Sequence, residues 1–204
     1  MPENKKLKGL LLLSGGFDSA VAGYLIKEQG IELSAVHFSL EPIVSNESGK
    51  KAEKLSKFLG LKNFSEIKIG KALEKISNEC EQKYYFVLMK RLILRLAEKI
   101  AKENGIDFLV TGENLGQVSS QTLRNLAVID KAVSIPTIRP LLCFEKIEII
   151  DFAKNIGTYD TSCGPEMCDI LGPKHPATRA KLEDVLEEEK KIDLEKIIRS
   201  CLSG

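Results

Sequence analysis

No run of apolar residues in this sequence approaches the roughly 20 that a membrane-spanning helix needs. The first eight residues are a short polar lead into an apolar stretch, without the plan of a secretory signal. A cytoplasmic protein with no membrane partner is therefore expected. An excess of charge of one sign is also missing. Thirty basic residues face 29 acidic ones, a net of +1, so the overall field does not draw in nucleic acid. Any RNA contact has to come from a local patch or from a partner. Cysteine is scarce and unpaired in number. Five residues at irregular spacing (Cys80, Cys143, Cys163, Cys168 and Cys201) argue against a secreted disulfide scaffold. No internal repeat or low-complexity tract occurs. What is present is ordinary: 204 residues, 43% apolar and 29% charged, enough for one domain with a sizeable core.

Four short, nearly continuous apolar segments, at 8–13, 32–38, 64–69 and 107–111, read as buried strands. Each is separated from the next by a segment with helical spacing, which predicts an α/β fold with a doubly wound parallel sheet. A fifth, shorter strand is expected near Thr137–Leu141, limited by Pro136 and Pro140. Helices are predicted from Asp18 to about Gln29, Glu47 to Leu59, Tyr84 to Glu103, Ser119 to Lys131 and Glu145 to Ile156. Gly30, Gly60 and Gly157 stand just past three of these ends. The longest helix places Leu88, Leu92, Leu96 and Ile100 on one stripe and Lys90, Arg91 and Arg95 on the other faces. After Gly157 comes a loop containing Gly, Pro and Cys, then charged helices over about 177–187 and 192–200. Residues 1–157 thus read as a nucleotide-binding α/β domain, and 158–204 as a cysteine-containing loop and C-terminal helices packed on it.

Strand 1 ends in Ser14-Gly15-Gly16-Phe17-Asp18-Ser19, and a helix starts at once, so free backbone N–H groups face whatever lies beyond the strand end. The two glycines allow close backbone approach, and the Ser14 and Ser19 hydroxyls can donate to phosphate oxygens. Asp18 reads as an N-cap, or as a carboxylate that orients Mg²⁺ or its waters near a nucleotide. A Walker A loop has Lys before its final hydroxyl residue, and Asp18 stands there instead, which disfavours γ-phosphoryl transfer. A plain capped turn accounts for one or two of these residues but not for the hexapeptide. The hexapeptide resembles the PP-loop signature of enzymes that cleave ATP between its α- and β-phosphates and adenylate a substrate oxygen.

Strand 4 runs into Thr111-Gly112-Glu113-Asn114-Leu115-Gly116-Gln117-Val118-Ser119-Ser120-Gln121-Thr122-Leu123, a polar loop at the carboxyl end of a parallel strand, where ligands bind in such sheets. This stretch resembles the corresponding element of the 4-thiouridine tRNA sulfurtransferase (ThiI) family, with Asn114 where that family usually has Ser. The resemblance extends through Ala35-Val36-His37-Phe38, Lys90-Arg91, Ile138-Arg139-Pro140-Leu141, Ile156-Gly157-Thr158-Tyr159-Asp160 and Pro165-Glu166-Met167-Cys168. It implies an adenine-nucleotide alpha-hydrolase-like sheet in the order 3-2-1-4-5. It also implies ATP contacts at Leu12, Leu13, Ser14, Gly15, Gly16, Asp18, Ser19, His37, Phe38, Lys90, Gly112 and Gln121. An aromatic face and backbone amide at His37-Phe38 could hold adenine, and Lys90 could meet phosphate as a point charge. The plainer alternatives are a strand-end histidine bonded to a loop and a solvated lysine.

The same resemblance makes Cys168 the catalytic cysteine that carries sulfur as a persulfide, with ATP and Mg²⁺ as cofactors. Nearby cations at Lys174 and His175 could favour its thiolate. A persulfide needs a second thiol to close a disulfide, and Cys163 is the nearest. A rival reading has Cys143, Cys163 and Cys168 holding an iron–sulfur cluster, although no Cys-x-x-Cys pair occurs. Cys80 and Cys201 read as structural or incidental. Family members usually carry ferredoxin-like and THUMP domains before the PP-loop, and many carry a C-terminal rhodanese domain. Here about seven residues precede strand 1. The grip on tRNA is then expected from a separate RNA-binding protein, or from a homodimer that joins patches at Lys90-Arg91-Arg95 and Lys174-Arg179-Lys181. A cysteine desulfurase or other persulfide or sulfide donor is the expected sulfur source. Three functions remain open: tRNA thiolation, thiolation or amidation of a small molecule, and a nucleotide-binding subunit without turnover.

Overall fold

The computed structural model describes residues 6–163 and 170–203. Five strands, β1 (Lys8–Leu12), β2 (Glu32–Ser39), β3 (Phe64–Lys68), β4 (Phe108–Val110) and β5 (Thr137–Ile138), form one sheet in the order β3-β2-β1-β4-β5. Every pairing is parallel, with Leu11 of β1 opposite Ala35 on one side and Val110 on the other. The doubly wound order expected from the sequence is the one found.

Alternation along the strands explains why both faces are covered. Leu10, Val36 and Leu109 face helices α3 (Gly70–Glu79) and α4 (Tyr85–Glu103). Leu11, Leu13, Ala35 and Val110 face α1 (Phe17–Glu28), α2 (Glu47–Phe58) and α6 (Lys146–Asn155). The remaining described helices are α5 (Leu123–Asp130), the single turn α7 (Tyr159–Ser162), α8 (Leu182–Glu189) and α9 (Leu194–Leu202). Among the described residues no helix is long and apolar enough to cross a membrane.

Several expectations need correction. The helix read over Ser119–Lys131 is broken: a 3₁₀ turn covers Ser119–Gln121, and α5 begins only at Leu123. Thr122 is the reason, since its extended backbone and its hydroxyl, which accepts from Asn125 N at 3.2 Å, make it the N-cap of α5. The helix expected at 177–187 starts at Leu182, because 177–181 is committed to other contacts. The buried side chain of Asn125 donates to Ser119 O at 2.7 Å and Ala177 O at 2.8 Å and accepts from Ala180 N at 2.9 Å. Helices α3 and α7 were not anticipated.

The largest departure concerns α4. Arg91, assigned to an outer face, is 1% exposed. It donates to Glu189 Oε1 at 2.8 Å and Oε2 at 3.0 Å, and Arg95 adds a bond to Oε2 at 2.9 Å. Burial pushes the Glu189 carboxyl up, but the hydrogen bonds from Arg91 and Arg95 outweigh it and hold the group below the usual carboxylate range. The Lys90-Arg91-Arg95 patch is thus largely engaged within the fold: two of its charges serve the α4–α8 contact, and Lys90 pairs with Glu113.

Candidate nucleotide-binding site

Ser14 to Ser19 crosses from β1 into α1 at the carboxyl edge of the sheet. The turn is held by its own hydroxyls. Ser19 Oγ donates to Gly16 O at 2.9 Å and accepts from Ser14 N at 3.1 Å, and the two serine oxygens lie 3.1 Å apart. Gly15 has φ +89°, and a Cβ there would stand 2.7 Å from the Ser48 carbonyl oxygen of α2, so both conformation and space require glycine. The loop is thus pressed against α2 on one side.

His37 completes that brace. Its Nδ1 lies 2.8 Å from Leu13 O and its Nε2 3.2 Å from Ser48 Oγ. A carbonyl only accepts, so Nδ1 carries the proton and Nε2 accepts from the serine. Burial lowers its pKa below the usual histidine range, against the opposing pull of Leu13 O and Glu66. The side chain is 2% exposed and ties β1 to α2, which is the plainer of the two sequence readings. Phe38 packs its ring on the core of the α3–α4 face. A stability test follows from the sign. The unfolded chain takes up the His37 proton near pH 6.5 and the folded chain only lower, so the contribution is full above about 6.5 and declines as pH falls below it. Chemical denaturation at pH 7.5 and 5.5 is expected to show a larger loss for the wild type than for His37→Gln. Equal losses would remove His37 from this account.

The second polar loop lies directly on the first. A Cβ at Gly112 would meet Ser19 N at 2.5 Å, Asp18 C at 2.6 Å and Ser19 Cα at 2.7 Å, all backbone atoms. Gln121 does not reach outward: its side-chain oxygen accepts from Asn114 N at 3.2 Å and its carbonyl from Gly116 N at 2.9 Å, closing the loop on itself. Asn114 donates to Leu141 O at 3.0 Å and to Phe144 O, so the amide found where the family usually has Ser anchors the loop to the segment after β5. Glu113, 4% exposed, accepts from Thr111 Oγ1 at 3.1 Å and Arg139 Nε at 2.8 Å, with Lys90 Nζ 3.3 Å from its other oxygen. Burial would raise its pKa, but Lys90 and Arg139 keep it lowered and charged.

Asp18 is not an N-cap. The helix starts one residue earlier, with Gly16 at the cap and no side-chain bond there. Its carboxylate instead accepts from Lys146 Nζ at 3.0 and 3.1 Å and from Gln117 Nε2 at 3.2 Å. Sequence reading missed Lys146, yet a signal existed. A lysine in the first turn of a helix opposes the macrodipole and needs a compensating anion. Lys146 also lies 4.3 Å from the centre of the Phe17 ring, whose other neighbour, Tyr159, is 6.1 Å away between centroids. A hydrogen bond with the Cys163 thiol raises the Tyr159 phenol pKa, so this exposed cysteine is linked to the phosphate loop through two aromatic rings.

Leu12, Leu13, the Ser14–Ser19 loop, His37, Phe38 and Gly112 therefore share one edge of the sheet, with Lys90 and Gln121 joined to it through Glu113 and Asn114. Cys168 lies outside the described residues. Cys143 and Cys163 are exposed, Cys80 is buried with its thiol pushed up to about 11 by burial, and Cys201 is half-buried. Among the described residues no three His, Cys, Asp or Glu side chains gather in a way that would hold a metal. Among the described residues Asp18 offers a hard carboxylate within the phosphate loop. That is the donor Mg²⁺ takes when substrate phosphates and water complete its shell.

Comparison with known proteins agrees with this geometry. The family model described as thiamine biosynthesis protein (ThiI) matches residues 5–194. Among curated relatives, a "Probable tRNA sulfurtransferase" of Halothermothrix orenii is 43% identical over 202 residues, covering 96% of this chain and 51% of that protein. A protein of the same description from Finegoldia magna is 38% identical over 210 residues, covering 100% and 54%. The chain spans about half the length of these relatives. A solved 4-thiouridine synthetase, in complex with RNA and with bound ATP, superposes with a TM-score of 0.91 at 35% identity, covering 97% of this chain and 53% of that one. A U34-tRNA thiolase from Methanococcus maripaludis, solved with its 4Fe-4S cluster, shares the fold at a TM-score of 0.61 and 20% identity, covering 97% and 71%. With the PP-loop, the second loop and the sheet order all in place, the chain belongs to the ThiI family.

Proposed function

We propose that this chain is the catalytic part of a cytoplasmic enzyme that uses ATP to adenylate a tRNA uridine and replaces the activated oxygen with sulfur, giving 4-thiouridine. The observation that carries this reading is the packing of Gly112 on the backbone of Asp18 and Ser19, which joins the phosphate loop to the loop most like those of the sulfurtransferases. The RNA and ATP bound to the 35% identical structure support the same pair of substrates. Residues 1–157 supply the nucleotide site, and the described residues from Ala177 onward are tied to the same domain through the Asn125–Ala177 and Arg91–Glu189 contacts.

In this reading the amides at the start of α1 and the Ser14 and Ser19 hydroxyls hold phosphate oxygens. Lys146 and Lys90 offset the charge that develops as pyrophosphate leaves. Mg²⁺, held in part by the Asp18 carboxylate, would supply further charge neutralisation on the phosphates. The uridine O4 attacks the α-phosphorus, breaking its bond to the pyrophosphate. The terminal sulfur of a Cys168 persulfide then attacks C4 and AMP departs. Cys163 thiolate attacks the Cys168 sulfur, the bond to the terminal sulfur breaks, and thiouridine leaves with a Cys163–Cys168 disulfide behind. An external thiol reductant must return that disulfide to two thiols. A desulfurase-type donor reloads Cys168, and further RNA contacts come from a separate RNA-binding protein, additional domains or a second copy.

Deleting the gene and measuring tRNA nucleosides by mass spectrometry tests the reading: 4-thiouridine is expected to disappear. Complementation with Cys168→Ala is expected not to restore it, while tRNA-dependent pyrophosphate release by the purified variant persists. Unchanged 4-thiouridine in the deletion strain would refute the proposal.

A further inference from the structure

Of the two basic patches expected to grip RNA, one has been consumed by internal ion pairs, while Lys174, Arg179 and Lys181 remain exposed. The structure holds another concentration of positive charge that the sequence order concealed, because its members come from β3, α3 and α9. A groove of roughly 400 Å³ runs between α3 and α9, walled by Lys68, Lys71, Lys75 and Lys196. Ala72, Ile197 and Cys201 line it as well, and Glu41 is the one carboxylate along it among the described residues. Four cations against Glu41 and Glu79, the partner of Lys75, is a local excess of +2 on a chain whose total is +1.

These charges are available. Lys68 lies 3.4 Å from Glu41 and Lys75 3.8 Å from Glu79, both loose and solvent-exposed pairs that contribute little and exchange readily for another anion. Lys71 and Lys196 are exposed and make no ion pair with a described residue. Lys71 and Lys75 stand one turn apart on the same face of α3, about 6 Å along the axis, so they can meet successive anionic groups of an extended ligand. The groove also has a direction. Glu41 and Pro42 follow the end of β2, and Lys68 is the last residue of β3, so one end of the groove lies near the carboxyl edge of the sheet, which also carries Ser14–Ser19. A row of lysine point charges without an accompanying set of amide or aromatic readers suits a repeating phosphate backbone rather than a single small anion.

We propose that the α3–α9 groove is a docking surface for the phosphate backbone of the substrate RNA, guiding the strand toward the nucleotide edge. This rests on the reading of RNA as substrate. The test compares the wild-type chain with the combined Lys68→Gln, Lys71→Gln, Lys75→Gln and Lys196→Gln variant. Affinity for unmodified tRNA is measured by fluorescence anisotropy between 50 and 200 mM KCl, and ATP affinity by calorimetry as the control. The variant is expected to bind tRNA at least about tenfold more weakly at low salt, with a log–log salt slope shallower by about 3 and unchanged ATP affinity. RNA is also expected to slow alkylation of Cys201, followed by peptide mass spectrometry, in the wild type only. Wild-type and variant chains with equal affinity and slope would overturn the groove and leave the tRNA function standing. So would a variant that keeps RNA binding but loses capture of a persulfide-donor protein, which would make the groove a protein surface. A wild-type chain with no tRNA affinity at any of these salt concentrations would overturn the groove, whereas the tRNA function itself falls only with unchanged 4-thiouridine in the deletion strain.

Discussion

Replacing Glu189 with alanine is expected to lower stability by about 3–5 kcal/mol, because it leaves Arg91 buried with its charge uncompensated. For a chain of this size that is a fall of roughly 6–20 °C in melting temperature. The guanidinium of Arg91 would retain only its bond to Val128 O, and Arg95, also bonded to Glu189, would swing to solvent. The cost is specific to breaking the pair rather than to losing it. Arg91→Met combined with Glu189→Leu removes both buried charges and refills the space, so it is expected to recover much of the loss. Differential scanning calorimetry of the two variants separates the cases. A Glu189→Ala protein within about 1 kcal/mol of wild type would show that α8 does not depend on this contact.

Gly112→Ala is the second large effect, and it reads on activity more than on folding. The added methyl would sit 2.5–2.7 Å from backbone atoms of Asp18 and Ser19, which cannot rotate away as a side chain would. Either β4 or the first turn of α1 has to retreat by a good fraction of an ångström. Overpacking of this kind costs about 1–3 kcal/mol of stability. A displacement near 1 Å in a catalytic frame costs on the order of 100-fold in rate. ATP-dependent pyrophosphate release is therefore expected to fall by roughly that factor while the protein remains folded by circular dichroism. Wild-type turnover in Gly112→Ala would show that the two loops are not mechanically joined.

The sequence made the sheet legible because its central strands, β1 and β4, are buried and read as plain apolar runs, Leu10 through Leu13 being the clearest. The phosphate loop and its partner loop were legible for the opposite reason: Ser14–Ser19 and Gly112–Leu123 are polar and glycine-bearing where an α/β sheet would otherwise continue apolar. What escaped was pairing at long range. Nothing in the spacing around Arg91 announces Glu189, 98 residues on, so a buried guanidinium looked like a surface charge. Lys146 and Asp18, 128 residues apart, were hidden in the same way. The break in α5 was a local miss, since Thr122 is an N-cap type that helical spacing alone overrides. Helix α3 is a further difference, with Leu73 and Ile76 one turn apart facing the core.

The brace formed by Leu13, His37, Ser48 and Gly15 means that the phosphate loop does not take its shape from β1 and α1 alone. Its backbone is registered against the opening turn of α2, a helix whose far end lies on the outer surface beside Phe58. The shape of the loop and the seating of α2 are therefore set together. Under the proposed function, a change at residues 46–49 is expected to reach the phosphate loop through this brace.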